Sequence, residues 1–71
     1  MSIGEERVRV NFNVAGSSEV DEVKLTTAAL IDGMEELKHN APEAARCAAL
    51  AQTHYEVAAM WAVKALTGEM V

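Results

Sequence analysis

The segment over residues 42–67 constrains this chain most, because it reads as one helix that is apolar around most of its girth. Pro42 suits the first turn of a helix, where its fixed φ is already helical and its missing N–H costs nothing. Gly68 follows the last periodic residue, at the position where helices close in the left-handed conformation. On a wheel of about 100° per residue, Ala44, Ala48, Ala51, Tyr55, Ala58, Ala62, Ala65 and Leu66 share one broad arc. Leu50, Val57 and Trp61 fall on a second arc, separated from the first by little beyond Cys47 and His54. One partner helix covers one stripe, so further chains are expected to cover the rest, and a symmetric homo-oligomer is the expected result.

The preceding residues supply the first partner. Val20, Val23, Thr27, Leu30, Met34 and Leu37 step by three and four, the seam of a helix packed lengthwise on another. Glu19, Asp21 and Glu22 crowd its first turn, where carboxylates meet the positive end of the helix dipole. The boundaries read as helix over residues 18–39 and again over 42–67. So short a link folds the two back antiparallel.

Ahead of them, residues 7–13 alternate, with Val8, Val10 and Phe12 on one side and Arg7, Arg9, Asn11 and Asn13 on the other. That is the period of an extended segment, so residues 1–17 are expected to form an extended arm lying on another element. The fold class is therefore all-α: a single domain over residues 1–71, a two-helix antiparallel hairpin with a short extended N-terminal arm, assembling into a homo-oligomer.

Length and charge narrow the function. A chain of 71 residues buries only about 60% of the surface its unfolded form exposes, which leaves a lone subunit marginal. Cys47 is the only cysteine, so no disulfide staples the fold; it is expected to be a small buried apolar residue in a reducing compartment. No run of about 18 apolar residues without charge is present and the first residues are charged, so neither secretion nor a membrane partner is expected. A net charge of −5 and a pI of about 4.8 argue against duplex nucleic acid as a partner, which requires a basic face.

No CxxC, HExxH, GxGxxG, P-loop or serine-elbow pattern occurs, so neither an enzyme nor a cofactor is expected. His54 has no second histidine or cysteine at helical ligand spacing. It is expected as a hydrogen-bonded interior group, with no metal site in the chain. Tyr55 and Trp61 are expected as interface anchors. The arm differs, since Arg9, Phe12 and Asn13, with Arg7 and Asn11, combine charge, an aromatic face and amides that can hold phosphate, stack a base and read its edge. Lys24, Thr26 and Thr27 stand near the point where the arm turns back.

The stretch over residues 46–65 resembles the second helix of the hairpin domain shared by phage anti-CBASS and anti-Thoeris sponge proteins. The pattern R-x-x-A-L-A-x-T-x-x-E-x-A-x-M-W-A is carried here by Arg46, Ala49, Leu50, Ala51, Thr53, Glu56, Ala58, Met60, Trp61 and Ala62. The front half fits more loosely, through Phe12-Asn13 and the helix start Val20-Asp21-Glu22-Val23-Lys24. The resemblance implies a homohexamer in the host cytoplasm that sequesters cyclic oligonucleotide messengers, cyclic dinucleotides foremost and cyclic trinucleotides in some members, without cutting them. It implies Phe12 as the base-stacking aromatic and Lys24 as the phosphate contact, with Thr26 and Thr27 as weaker carry-overs and Lys64 or Arg46 at a second phosphate site. Val14 replaces the proline common after F-N, and Phe12 stands where some relatives have tyrosine. The alternatives are capture of cyclic ADP-ribose-type signals and a hairpin interaction module with no small-molecule ligand.

Overall fold

The computed structural model describes residues 2–9 and 18–68, and all of its regular structure is helical. Three helices follow in order: α1 over Ile3–Val8, α2 over Ser18–Asn40 and α3 over Ala45–Thr67, with a 3-10 turn at Pro42–Ala44 leading into α3. Ala41 donates its N–H to the Leu37 carbonyl at 2.8 Å and Ala44 donates to Ala41 at 2.9 Å, so the link stays hydrogen-bonded throughout. Gly68 closes α3 with φ of 73° and donates to the Lys64 carbonyl, a conformation that glycine adopts without steric cost. α2 and α3 lie antiparallel: Lys38 near the end of α2 reaches Gln52, while Leu66 near the end of α3 faces Glu19 and Glu22.

The extended arm requires correction. Residues 3–8, including Arg7 and Val8, are helical, and Arg9 closes that helix in the left-handed conformation with φ of 58°. Residues 10–17, with Phe12 and Asn13, lie outside the described residues. The reason for the helix is local. Ser2 Oγ accepts the Glu5 N–H at 3.1 Å while the Ser2 N–H donates to Glu5 Oε1 at 2.9 Å, a reciprocal cap that satisfies two orphan donors. A six-residue helix does not persist alone in water. Docking holds it: Val8 joins Ala28, Ile31 and Ala59 in the core, and Gly4 lies so close to α2 that a Cβ there would overlap the Ala28 carbonyl.

The seam of α2 is also turned from its expected setting. Val20, Lys24, Ala28 and Ile31 are its buried residues, whereas Leu30 and Leu37 are exposed. α1 packs along the flank that carries Lys24, Ala28 and Asp32, which rotates the covered face of α2 toward that side. On α3 the buried residues are Ala48, Gln52 and Ala59. Cys47 and His54, expected inside, are exposed, because the α2 contact falls on the Ala48–Gln52–Ala59 line instead.

Gln52 is the polar pin of the hairpin. Its Nε2 donates to the Ile31 carbonyl at 3.1 Å and to Glu35 Oε1 at 3.0 Å, and its Oε1 accepts from Lys38 Nζ at 3.3 Å. Lys38 also pairs with Glu35 at 3.0 Å. Both ends of the buried amide are thereby satisfied, as burial demands. The amide of Gln52, with the Lys38 ammonium, holds the Glu35 carboxyl below its ordinary pKa of 4.5.

Gly4→Ala is expected to lower unfolding stability by about 2 kcal/mol, because backbone must move to admit the methyl group. Gly33→Ala, with open space around its Cβ on an exposed helix face, is expected to raise it by up to about 1 kcal/mol. Urea melts of the two variants check the contrast. A depressed carboxyl pKa contributes stability that is complete above the unfolded value and is lost as pH falls through the folded one. The stability difference between wild type and Glu35→Gln should therefore be constant above about pH 5 and shrink below 4.5.

Candidate functional site

The structure brings two of the expected ligand residues together. Lys24, in the second turn of α2, is only 6% exposed, and its Nζ donates to the Arg9 carbonyl at 3.0 Å. That carbonyl belongs to the cap of α1, so Lys24 closes the C-terminal end of the short helix, where a cation is favoured. The Arg9 residue is exposed, and its charge is near enough to act on the Lys24 ammonium. Burial lowers the Lys24 pKa, with the Asp21 carboxylate opposing and the Arg9 charge adding to the shift. Two like charges are therefore held near each other at one end of the hairpin, partly compensated by Asp21.

Thr26 and Thr27 face a neighbouring feature. With Glu19, Glu22, Val23 and Leu66 they line an open groove of about 430 Å³ between the start of α2 and the end of α3. Thr27 donates its hydroxyl to the Val23 carbonyl at 2.7 Å, whereas Thr26 is exposed. Glu19 and Glu22 make the groove unfavourable for phosphate within one subunit; its hydroxyls and Leu66 suit the neutral parts of a ligand.

Arg46 and Lys64 do not meet. Eighteen residues of helix separate them by about 27 Å, so one chain cannot place both on the same phosphate. Lys64 sits over the Trp61 ring, 6.0 Å from its centroid, while Arg46 is exposed at the start of α3. Tyr55 is half-buried against the core, whereas Trp61 is 51% exposed and shares an outward face with Leu50, Val57 and Met60.

Three contributors were missed by the sequence reading. Glu56 accepts from Arg7 Nε at 3.0 Å and ties α3 to α1; Asp32 accepts the Gly4 N–H at 2.8 Å and ties α2 to α1; Gln52 pins α2 to α3. The Ser2-x-x-Glu5 spacing was the available signal for α1, since that pattern marks a helix start. Among the described residues, no three histidine, cysteine, aspartate or glutamate side chains are grouped to hold a metal, and no helix is long and apolar enough to cross a membrane.

The model of the family described as Acb2/Tad1, hairpin domain, matches residues 4–67. The chain belongs to the Acb2/Tad1 hairpin-domain family. Membership points to a phage anti-defence role. No curated protein and no solved structure matches the chain. The matched span begins at Gly4, the close-approach residue of α1, and ends at Thr67, the last residue of α3. Most positions by which α3 resembles the family face outward: Arg46, Ala49, Leu50, Thr53, Ala58, Met60 and Trp61 are all exposed in the single subunit. The subunit's own core does not account for them.

Proposed function

We propose that this hairpin protein binds cyclic oligonucleotide second messengers, cyclic dinucleotides foremost, and holds them uncut, so that the defence effector they activate is not triggered. The observation that carries this reading is that the Lys24 ammonium is held on the Arg9 backbone carbonyl, close enough for the Arg9 charge to act on it, in a chain of net charge −5. A cyclic dinucleotide is a compact dianion with two flat faces. Charge-assisted hydrogen bonds from a guanidinium and an ammonium suit its phosphates, and an aromatic such as Phe12, three residues beyond Arg9, suits a base. Sequestration needs tight binding and slow release and has no need of a catalytic base or metal.

Assembly is part of the proposal. Leu50, Val57, Met60 and Trp61 are each more than two-fifths exposed on α3, and Leu25 and Leu30 are similarly exposed on α2. A second copy covering the Leu50–Val57–Met60–Trp61 face of α3 would bury apolar area worth about 25 cal/mol per Å². A homo-oligomer, a hexamer on the family pattern, supplies crevices between subunits, and there a neighbour can offset the acidic side of the Thr26–Thr27 groove. The host cytoplasm, where such messengers are made, is the proposed place of action.

Calorimetric titration with cyclic di- and trinucleotides and a cyclic ADP-ribose derivative tests the reading, using wild type and Arg9→Gly. Glycine is the residue best suited to the left-handed position of Arg9, so this variant should melt at or above the wild-type temperature while binding about tenfold more weakly. The ligand should be recovered chemically intact after heat release. Failure of every member of the panel to bind wild type contradicts the proposal, and binding of the cyclic ADP-ribose derivative alone moves the ligand class.

A further inference from the structure

α1 is held at three points, and only one of its residues in the core, Val8, is a bulky apolar group. Its first turn is fixed by the Gly4 N–H donating to Asp32 of α2 at 2.8 Å. Its last turn is fixed by Arg7 Nε donating to Glu56 of α3 at 3.0 Å. Its cap is fixed by the Arg9 carbonyl accepting from Lys24 at 3.0 Å. Hydrogen bonds are directional, and three of them spread over two supporting helices set both the position and the rotation of a short rigid body. The overlap that any Cβ at Gly4 would meet fixes the distance of approach as well.

The Arg7–Glu56 pair is the informative one. Its side chains are 26% and 41% exposed, and a partly solvated pair of that kind contributes little to stability. It lies two residues before Arg9, at the end of α1 from which the chain departs toward Phe12. The pair therefore has more leverage on where Arg9 points than on whether the protein folds.

We propose that α1 is a clip for the ligand site, and that Glu56, acting through Arg7, is a positioning residue that aims Arg9 beside Lys24. The inference rests on the sequestration reading given above. Glu56 touches no ligand; it holds the guanidinium of Arg7, which sets the end of α1. Electrostatics alone gives the opposite expectation, because removing a carboxylate near an anion site should tighten anion binding.

The test uses the full chain and cyclic di-AMP, cyclic di-GMP and the mixed adenine–guanine cyclic dinucleotide as probes. Glu56→Ala, which removes the acceptor for Arg7 Nε, should bind the best of these about tenfold more weakly than wild type, with an unchanged melting temperature. The exchange Arg7→Glu with Glu56→Arg, which leaves net charge as it was, should recover most of the affinity. Equal or tighter binding by Glu56→Ala overturns the clip while leaving the sequestration reading intact, as does a loss that follows a fall in melting temperature or one that the exchange does not repair. Absence of binding by wild type overturns the clip and, with it, cyclic dinucleotides as the sequestered ligand.

Discussion

The interior of this hairpin is small, and most of the other features follow from that. Where α2 and α3 meet, the buried apolar residues are Val20, Ala28, Ile31, Ala48 and Ala59, three of them alanines, and the polar side chain that joins the two helices there is Gln52. Alanine lets helix axes approach closely but removes little apolar area from water. The bulky side chains of α3, Leu50, Val57, Met60 and Trp61, stand outside. Directional polar contacts accordingly set the register: Gln52 between the long helices, and Asp32, Glu56 and Lys24 around α1.

The same economy links fold to site. Lys24 is buried because it closes α1, and its ammonium is beside Arg9 for that reason. Structural cap and proposed phosphate contact are one group, so the ligand site and the docking of α1 are coupled. An anion arriving there would favour the charged form of a lysine that burial disfavours. On the proposed reading, the outward residues of the family pattern meet copies of the same chain.

The long helices were legible because their signals are local and strong: the acidic first turn at Glu19 and Asp21, Pro42 at the head of the turn and Gly68 past the end. The setting of α2 was not, since periodicity alone cannot choose between the stripe containing Leu30 and Leu37 and the one containing Ile31 when a third element covers one flank. That element was hidden by the alternation of residues 7–13, which reads as extended although Arg7 and Val8 are helical; the Ser2–Glu5 cap that starts the helix plays no part in that reading. Arg9 and Lys24 could be named from residue type. Their contact could not, because it depends on a left-handed cap and a glycine approach that no spacing encodes. Gln52, an unremarked position within the family pattern, emerged only from the three-dimensional pairing with Ile31 and Glu35.

If so small an interior leaves the subunit incomplete, its folding and its assembly are a single process. Sedimentation velocity over a dilution series, read together with circular dichroism, tests this most directly. The account predicts a discrete oligomer at micromolar concentrations that loses helicity as it dissociates on dilution. A fully helical single subunit persisting at every concentration would contradict it.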